Sequence, residues 1–278
     1  MLGVLLALAL WLQPMGARAA ASGWVTTEFS QLRLISAQDF ISGRQSLSFG
    51  IQIRLEAGWK TYWRNPGDAG IPTFFDWSAS QNVEDVALAW PAPKRISFEG
   101  LDSFGYEEEV IFPALVRLVD PSSPVRIDVK VAYAVCKHIC VPLEAHVTLE
   151  LPAVGSAQET ATTAHRSLIQ RFESRVPDRN GTQLDIIEAR VGGRTGRRVL
   201  HLTVGAEESF DHPDVFVEGP ADVIFGRPKV ALAEDRRRAV VGIPIDEAED
   251  VTYGYEPLTI TLVDGDRSIE REVTPPRN

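Results

Sequence analysis

Apolar and polar residues alternate almost without interruption in two neighbouring stretches, VRIDVKVAYAV (125–135) and VPLEAHVTLEL (141–151). A period of two is typical of β-strands that bury one face. The run SLSFGIQIRL (46–55) has the same pattern, and segments rich in Pro and Gly, such as WPAPK (90–94), lie between the runs. Short strands separated by turn signals predict an antiparallel β-sandwich.

The second half of the chain resumes this pattern after a break. The segment PAVGSAQETATTA (152–164) is small and polar, and the following HRSLIQRFESR (165–175) places Leu168, Ile169 and Phe172 at helical spacing. Further strand-like runs then occupy residues 185–191, 198–204, 215–218, 239–245 and 258–263. We therefore predict an all-β chain with one sandwich over residues 22–152, a linker with a short helix over 153–177, and a second sandwich over 178–278.

The composition excludes several classes of protein. With 278 residues, 44% hydrophobic and 24% charged, the chain is neither disordered, collagen-like nor a coiled coil. Its formal net charge of -10 argues against nucleic acid as a partner. We find no Ser-His-Asp arrangement or phosphate-binding loop, and we expect no cofactor.

The amino terminus predicts export. The apolar run LGVLLALALWL (2–12) precedes Ala17-Arg18-Ala19, which is the pattern of a secretory signal peptide over residues 1–19. The alternative is an amino-terminal anchor or a buried helix. Because no other stretch approaches the roughly 18 apolar residues of a membrane span, we expect a soluble mature protein outside the cytosol, where disulfides persist.

The only two cysteines, Cys136 and Cys140, flank the turn 137–139. The alternation puts Val135 and Val141 on the apolar faces of their strands, so both cysteines fall on the polar face. If the strands form a hairpin, the cysteines lie opposite each other, where Cα separations of about 4.5–5.5 Å suit a disulfide.

Three uses of this pair remain open. A structural disulfide closing a loop of about five residues stabilises by roughly 2 kcal/mol in the chain-entropy model, which is little for a turn that already closes itself. A redox pair needs an accessible sulfur, and Lys137 and His138 would favour the thiolate electrostatically. A Cu(I) site could use Cys136, Cys140 and His138, with His146 on the same face of the second strand. With the first of these uses, an inert structural disulfide, the chain would be a binding module.

Several motifs resemble the amino-terminal periplasmic region of the DsbD/ScsB family of thiol:disulfide interchange proteins. In the first half of the chain, they are YAVCKHICVP (133–142), GWKTYWRNPGDAGIPTFFDW (58–77) and WPAPKRISFEGLDSFGYEEEVIFP (90–113). In the second half, two motifs are similar to the second β domain of ScsB-type members, DVFVEGPADVIFGRPKV (214–230) and LTITLVDGDRSIE (258–270). The resemblance implies immunoglobulin-like sandwiches and a thiol–disulfide oxidoreductase of the protein-disulfide reductase type. It also implies two kinds of partner, a membrane-embedded electron donor and periplasmic thioredoxin-like or disulfide-containing proteins. The chain shows neither a membrane domain nor a thioredoxin-like domain, so we expect the donor to be a separate polypeptide.

The resemblance also assigns residues. Cys136 and Cys140 match the redox pair, with the three-residue spacing of the ScsB-type branch. Independently of the resemblance, we expect Cys140 to attack and Cys136 to resolve, because Pro142 removes a backbone donor near the second sulfur. The segment containing Phe104 and Tyr106 matches loosely the cap loop whose aromatic ring shields the disulfide, and Phe104 is the first choice for that ring. The alternative for Phe104 is a place in the core.

The other aromatic residues of these motifs receive a structural interpretation. Trp59, Tyr62 and Trp63 indicate packing in the core and in turns.

Overall fold

The computed structural model describes residues 20–154, 163–194, 197–247 and 256–276. The predicted signal peptide over residues 1–19 lies outside the described residues. In the described part of the chain, no helix combines the length and the apolar composition that a membrane crossing requires.

The first half of the chain folds into a sandwich of two antiparallel sheets. Its strands are β1 (Val25–Thr26), β2 (Ser30–Ser36), β3 (Ser46–Leu55), β4 (Lys60–Gly67), β5 (Phe74–Asp76), β6 (Val83–Leu88), β7 (Lys94–Phe98), β8 (Leu101–Glu107), β9 (Glu109–Leu118), β10 (Val125–Cys136) and β11 (Cys140–Leu151). One sheet has the order β1-β2-β3-β9-β6, and the other has the order β11-β10-β4-β8-β7 with β5 beside β10. Strand β11 therefore lies at an edge, which leaves one side of it open.

The predicted hairpin forms as the alternation indicates. Strands β10 and β11 pair from Val125 opposite Leu151 to Cys136 opposite Cys140, without a register shift. Ile127 and Val129 are fully buried in the core between the two sheets. A slip of one residue would turn all of these side chains to the other face, so the apolar pattern specifies the register.

The predicted helix is confirmed as α1 (His165–Glu173). Its buried residues, Ile169 and Phe172, belong to the core of the first sandwich. The helix therefore packs against that sandwich instead of bridging freely to the next one.

The second half forms another antiparallel sandwich with a core of its own. Its strands are β12 (Leu184–Arg194), β13 (Arg197–Ala206), β14 (Asp214–Glu218), β15 (Val223–Phe225), β16 (Lys229–Leu232), β17 (Arg238–Glu247), β18 (Leu258–Asp264) and β19 (Arg267–Val273). One sheet has the order β12-β13-β17-β15 with β16 beside β17, and the other has the order β14-β18-β19. The prediction of an all-β chain with two sandwiches is confirmed.

The two sandwiches contact each other through an aromatic side chain. Phe216 of β14 is 1% exposed and packs in the core of the first sandwich, with its ring centroid 4.9 Å from that of Phe104 and 5.9 Å from that of Trp63. Burial of an aromatic side chain is a large apolar contribution, so this contact fixes one sandwich on the other. Ion pairs surround it, joining Arg64 to Glu218 and Glu270, and Arg95 to Asp214.

Candidate functional site: the disulfide hairpin

The two cysteines form a disulfide at the end of the β10–β11 hairpin. Their Cα atoms are 4.2 Å apart, and they are the last residue pair before the turn. Cys136 does not join the main core, because it packs with Ala134 and Tyr62 in a small separate cluster. The prediction that both cysteines face away from the apolar face is confirmed.

The two sulfur-bearing residues differ in accessibility. Cys136 is only 8% exposed, because β10 is an inner strand and Lys60 of β4 is its neighbour on the side away from β11. Cys140 begins the edge strand β11 and is exposed. An external thiol can therefore approach Cys140 more readily than Cys136.

Tyr62 contacts the disulfide directly. Its hydroxyl lies 3.2 Å from the Sγ of Cys140, although its side chain is fully buried. Burial raises the pKa of Tyr62, so the phenol stays protonated and is a hydrogen-bond donor. The loop after β4 covers the ring at Gly70, where a Cβ atom would stand 2.6 Å from Cδ1 of Tyr62. The sequence interpretation of Tyr62 as a packing residue missed this contact.

Lys60 places a second polar group beside the pair. It is directly opposite Cys136 in the β4–β10 register and is 8% exposed. Its Nζ donates to the Oγ of Ser103 at 3.3 Å. Burial lowers the pKa of Lys60, and the charge of Glu107 acts in the opposite direction. The Lys60 side chain thus shares a face with Cys136, and its ammonium group is held at Ser103 of β8.

The two turn residues expected to modulate the thiolate have other contacts. Nζ of Lys137 donates to the carbonyl oxygen of Ala57 at 3.1 Å, which draws this side chain back along the turn that precedes β4. The ring of His138 is exposed, and its centroid is 5.8 Å from that of Phe98. Their electrostatic role stays a prediction, and Lys60 is a further cation on the β4 side.

The residues considered for a copper site are dispersed. His138 contacts Phe98, and Nε2 of His146 lies 2.6 Å from Oδ1 of Asp128, far along the hairpin from Cys140. Over the described ranges, no group of three or more His, Cys, Asp or Glu side chains is arranged to hold a metal ion. The structure therefore adds no ligand to the two sulfurs.

The two aromatic rings expected to shield the disulfide are core residues. Phe104 is 7% exposed and packs edge-to-face against Phe216 of the second sandwich. Tyr106 is 6% exposed, packs against Phe112, and donates its hydroxyl to the carbonyl oxygen of Pro91 at 2.8 Å. Both rings are held by these partners, so the interpretation of Phe104 and Tyr106 as a cap is corrected to the alternative, a place in the core.

The tip of the β7–β8 hairpin lies beside the disulfide turn instead. Phe98 and Leu101 are opposite each other at this tip and are 44% and 51% exposed. The two residues between them, Glu99 and Gly100, have φ values of 50° and 87°, as a tight two-residue hairpin turn requires. Because the Phe98 ring contacts His138, the tip is positioned to cover the turn that the disulfide closes.

Comparison with known proteins supports this fold. Residues 32–152 match the family model described as "Thiol:disulfide interchange protein DsbD, N-terminal", and residues 175–278 match "Domain of unknown function (DUF8393)". The crystal structure of the N-terminal periplasmic domain of ScsB from Proteus mirabilis superimposes with a TM-score of 0.72 at 22% sequence identity, covering 94% of this chain and all of that one. No curated protein matches the sequence. The immunoglobulin-like fold expected for both sandwiches is thereby confirmed.

Proposed function

We propose that this chain, whose residues 32–152 belong to the DsbD N-terminal family of thiol:disulfide interchange proteins, passes electrons through Cys136 and Cys140 to disulfides of other proteins. The observation that carries the proposal is the asymmetry of the pair, with Cys140 exposed on an edge strand and Cys136 buried behind it. Exchange needs one sulfur that a partner can reach and one that is held in place to resolve the mixed disulfide.

A purely structural role fits the hairpin less well. Strands β10 and β11 are paired along their whole length, so their ends are held together without the sulfur atoms. The chain-entropy model assigns only about 2 kcal/mol to a closed loop of about five residues. Exposure of one of the two cysteine residues would also add nothing to the stability that a structural disulfide provides.

The exchange proceeds in two displacements. In the reduced protein, the Cys140 thiolate attacks one sulfur of a partner disulfide, the other partner sulfur leaves as a thiolate, and a mixed disulfide forms at Cys140. The Cys136 thiolate then attacks Sγ of Cys140 and releases the second partner thiol. Two electrons thus pass to the partner, which takes up two protons, and a donor dithiol reduces Cys136–Cys140 by the reverse sequence.

Neighbouring side chains support each displacement. The protonated Tyr62 hydroxyl donates a hydrogen bond to the Cys140 thiolate, which lowers the cost of ionising this thiol. The Lys60 ammonium group favours the Cys136 thiolate that attacks second. Lys137 and His138 add positive charge at the turn. Phe98 at the β7–β8 tip limits access by small thiols until a partner displaces it.

The partners and the compartment are part of the proposal. We assign the protein to the periplasm, after removal of a signal peptide over residues 1–19. Its electron donor would be a membrane-embedded thiol–disulfide protein, and its acceptors periplasmic thioredoxin-like or disulfide-containing proteins. This makes it an oxidoreductase of the protein-disulfide reductase type.

A redox titration tests the proposal. The purified chain is equilibrated with graded ratios of reduced and oxidised glutathione, and free thiols are alkylated and counted by mass spectrometry. We expect a reversible transition at a potential above about −300 mV, whereas structural disulfides typically lie below that value and stay oxidised. An unreduced disulfide across the series would contradict exchange. Tight Cu(I) binding by the reduced pair, with no exchange, would favour the copper-binding alternative.

A further inference from the structure

We infer that Arg227, in the second sandwich, is a positioning residue that holds the tip of the β7–β8 hairpin over the disulfide turn. The inference rests on the proposed function, since it explains how access to Cys140 is limited. It also assigns a role to the second sandwich, which contributes no cysteine of its own.

Arg227 contacts the hairpin next to its tip. Its Nε donates to Oδ2 of Asp102 at 2.9 Å, and its Nη2 donates to Oδ1 of Asp102 and, at 2.7 Å, to Oγ of Ser97. Ser97 and Asp102 are a cross-strand pair, and the next pair toward the tip of the hairpin is Phe98 and Leu101. The guanidinium group therefore joins both strands of the hairpin one residue from the ring that contacts His138.

The carboxylate that Arg227 binds is itself part of the sandwich junction. Asp102 is 4% exposed and also accepts from Nη1 of Arg95 at 3.1 Å and from Oγ of Ser97 at 2.7 Å. Arg95 in turn donates to Asp214 and to the carbonyl oxygen of Val215 in the second sandwich. Two arginines, one from each sandwich, thus hold the same carboxylate.

Beyond this anchor the tip has few constraints. Leu101 lines an open groove of about 740 Å³ between the sandwiches, together with Ile224, and both residues are more than half exposed. Movement of the tip into the groove or toward solvent would therefore break little packing beyond the contact of Phe98 with His138. The position of the tip over the turn then depends on the Ser97–Asp102 pair, which Arg227 holds from the second sandwich and Arg95 and Asp68 hold from the first.

Removal of Arg227 should leave the rest of the fold intact. The residue lies in the connection between β15 and β16, and its side chain is 57% exposed. Truncating it opens no cavity in either core, in contrast to the loss of Phe104 or Phe216. An effect on disulfide access would therefore report on the hairpin and not on general unfolding.

The test compares Arg227→Gln with Arg190→Gln, a control at an exposed arginine of β12. The rate of disulfide reduction is measured in the full chain with tris(2-carboxyethyl)phosphine, together with Tm. We expect Arg227→Gln to be reduced severalfold faster than the unchanged protein, with only a small fall in Tm because Arg95 still pairs with Asp102, and Arg190→Gln to behave like the unchanged protein. Arg227→Lys, which keeps the charge but loses the two-nitrogen contact, should fall between them.

A second comparison separates positioning from a general effect. In a Phe98→Ala background, Arg227→Gln should add no further acceleration, because the ring through which it acts is gone. An unchanged reduction rate in Arg227→Gln, an equal acceleration in Arg190→Gln, or an undiminished effect in the Phe98→Ala background would each overturn the inference. The rate of reduction by the phosphine reports access to the disulfide and does not require that the protein exchanges electrons with partners. Failure of the glutathione titration would contradict the exchange function, whereas failure of these comparisons would contradict only the role of Arg227.

Discussion

The hydroxyl of Tyr62 lies 3.2 Å from the Sγ of Cys140, although the two residues are 78 positions apart in the sequence. Strand β4 brings them together, since it pairs with β10 at Lys60 and Thr61 and turns the Tyr62 ring to the same side as Cys136. The sulfur of the exposed residue Cys140 thus has a hydrogen-bond donor that cannot easily ionise, because burial raises the pKa of Tyr62.

Tyr62→Phe should make Cys140 less reactive in the reduced protein. Loss of the donor removes a hydrogen bond to the thiolate, an interaction worth about 1.5–3 kcal/mol for charged groups, so the midpoint of the pH profile for alkylation of Cys140 should rise by about one pH unit or more. Mass spectrometry of iodoacetamide-labelled peptides measures this profile. Tyr133→Phe is the matched control, since its buried hydroxyl bonds to Ser30 on the core side. Equal profiles for the two variants would contradict the role of Tyr62.

Lys60→Met should slow the second displacement and not the first. The variant removes the cation opposite Cys136, so the resolving thiolate forms less readily and a mixed disulfide with glutathione at Cys140 should persist longer. Rapid quenching with acid and mass spectrometry follow its decay. Stability should change little, because burying a lysine without an ion pair costs free energy that methionine avoids. Lys130→Met, at an exposed position of β10, is the control, and an equal slowing there would exclude a specific effect.

Phe98→Ala and Phe104→Ala should have opposite signatures. Phe98 is half exposed beside His138, so its truncation should speed reduction of the disulfide severalfold with little loss of stability. Phe104 packs against Phe216, so its truncation should cost about 3–5 kcal/mol of unfolding free energy. Urea denaturation and phosphine reduction measure the two quantities. Faster reduction in a fully stable Phe104→Ala variant would restore Phe104 as the shield.

Asp102 should make stability depend on pH in acid. Burial alone would raise the pKa of Asp102, but hydrogen bonds from Arg227 and Ser97, together with Arg95, lower it to about 2. A carboxylate with a depressed pKa stabilises the folded state fully above its unfolded value of about 3.9, and this contribution is lost as the pH falls toward 2. The charged groups around it are Arg95, Arg227, Asp68 and Asp214.

Asp102→Asn tests this dependence, because the amide keeps the shape and cannot titrate. The difference in unfolding free energy between the unchanged protein and the variant should be largest above pH 4 and shrink as the pH approaches 2. Urea denaturation at a series of pH values measures it. A difference that is constant from pH 5 to pH 2 would show that the Asp102 charge does not contribute.

The sequence was sufficient for the features that depend on neighbouring residues. The alternation on either side of residues 137–139 predicted the hairpin, the face of the sheet on which both cysteines lie, and their position opposite each other. The spacing of Ile169 and Phe172 predicted α1. In each case, a local period specifies which side is buried, and the apolar side then packs against the nearest core.

The contacts around the disulfide could not be read in the same way. Which strand lies next to β10 depends on pairing between distant segments, so nothing local identified Lys60 or Tyr62. Strand β8 is buried on both faces from Asp102 to Tyr106. Phe104 packs on the core side, where Phe216 of the second sandwich joins it, and Ser103 on the other side is covered by the loop after β4, where its hydroxyl donates to the carbonyl oxygen of Ala69. The alternation of β8 therefore does not show which ring faces the disulfide, and Phe98, one strand earlier, occupies that place.

The most direct measurement is the trapping of a mixed disulfide with single-cysteine variants. Cys136→Ala and Cys140→Ala are each reduced, mixed with an oxidised thioredoxin-fold protein of known sequence, quenched with acid and analysed by non-reducing electrophoresis and mass spectrometry. The account predicts that Cys136→Ala accumulates a covalent adduct through Cys140, while Cys140→Ala, whose remaining sulfur is buried, forms little. An adduct formed only through Cys136, or by neither variant, would contradict it.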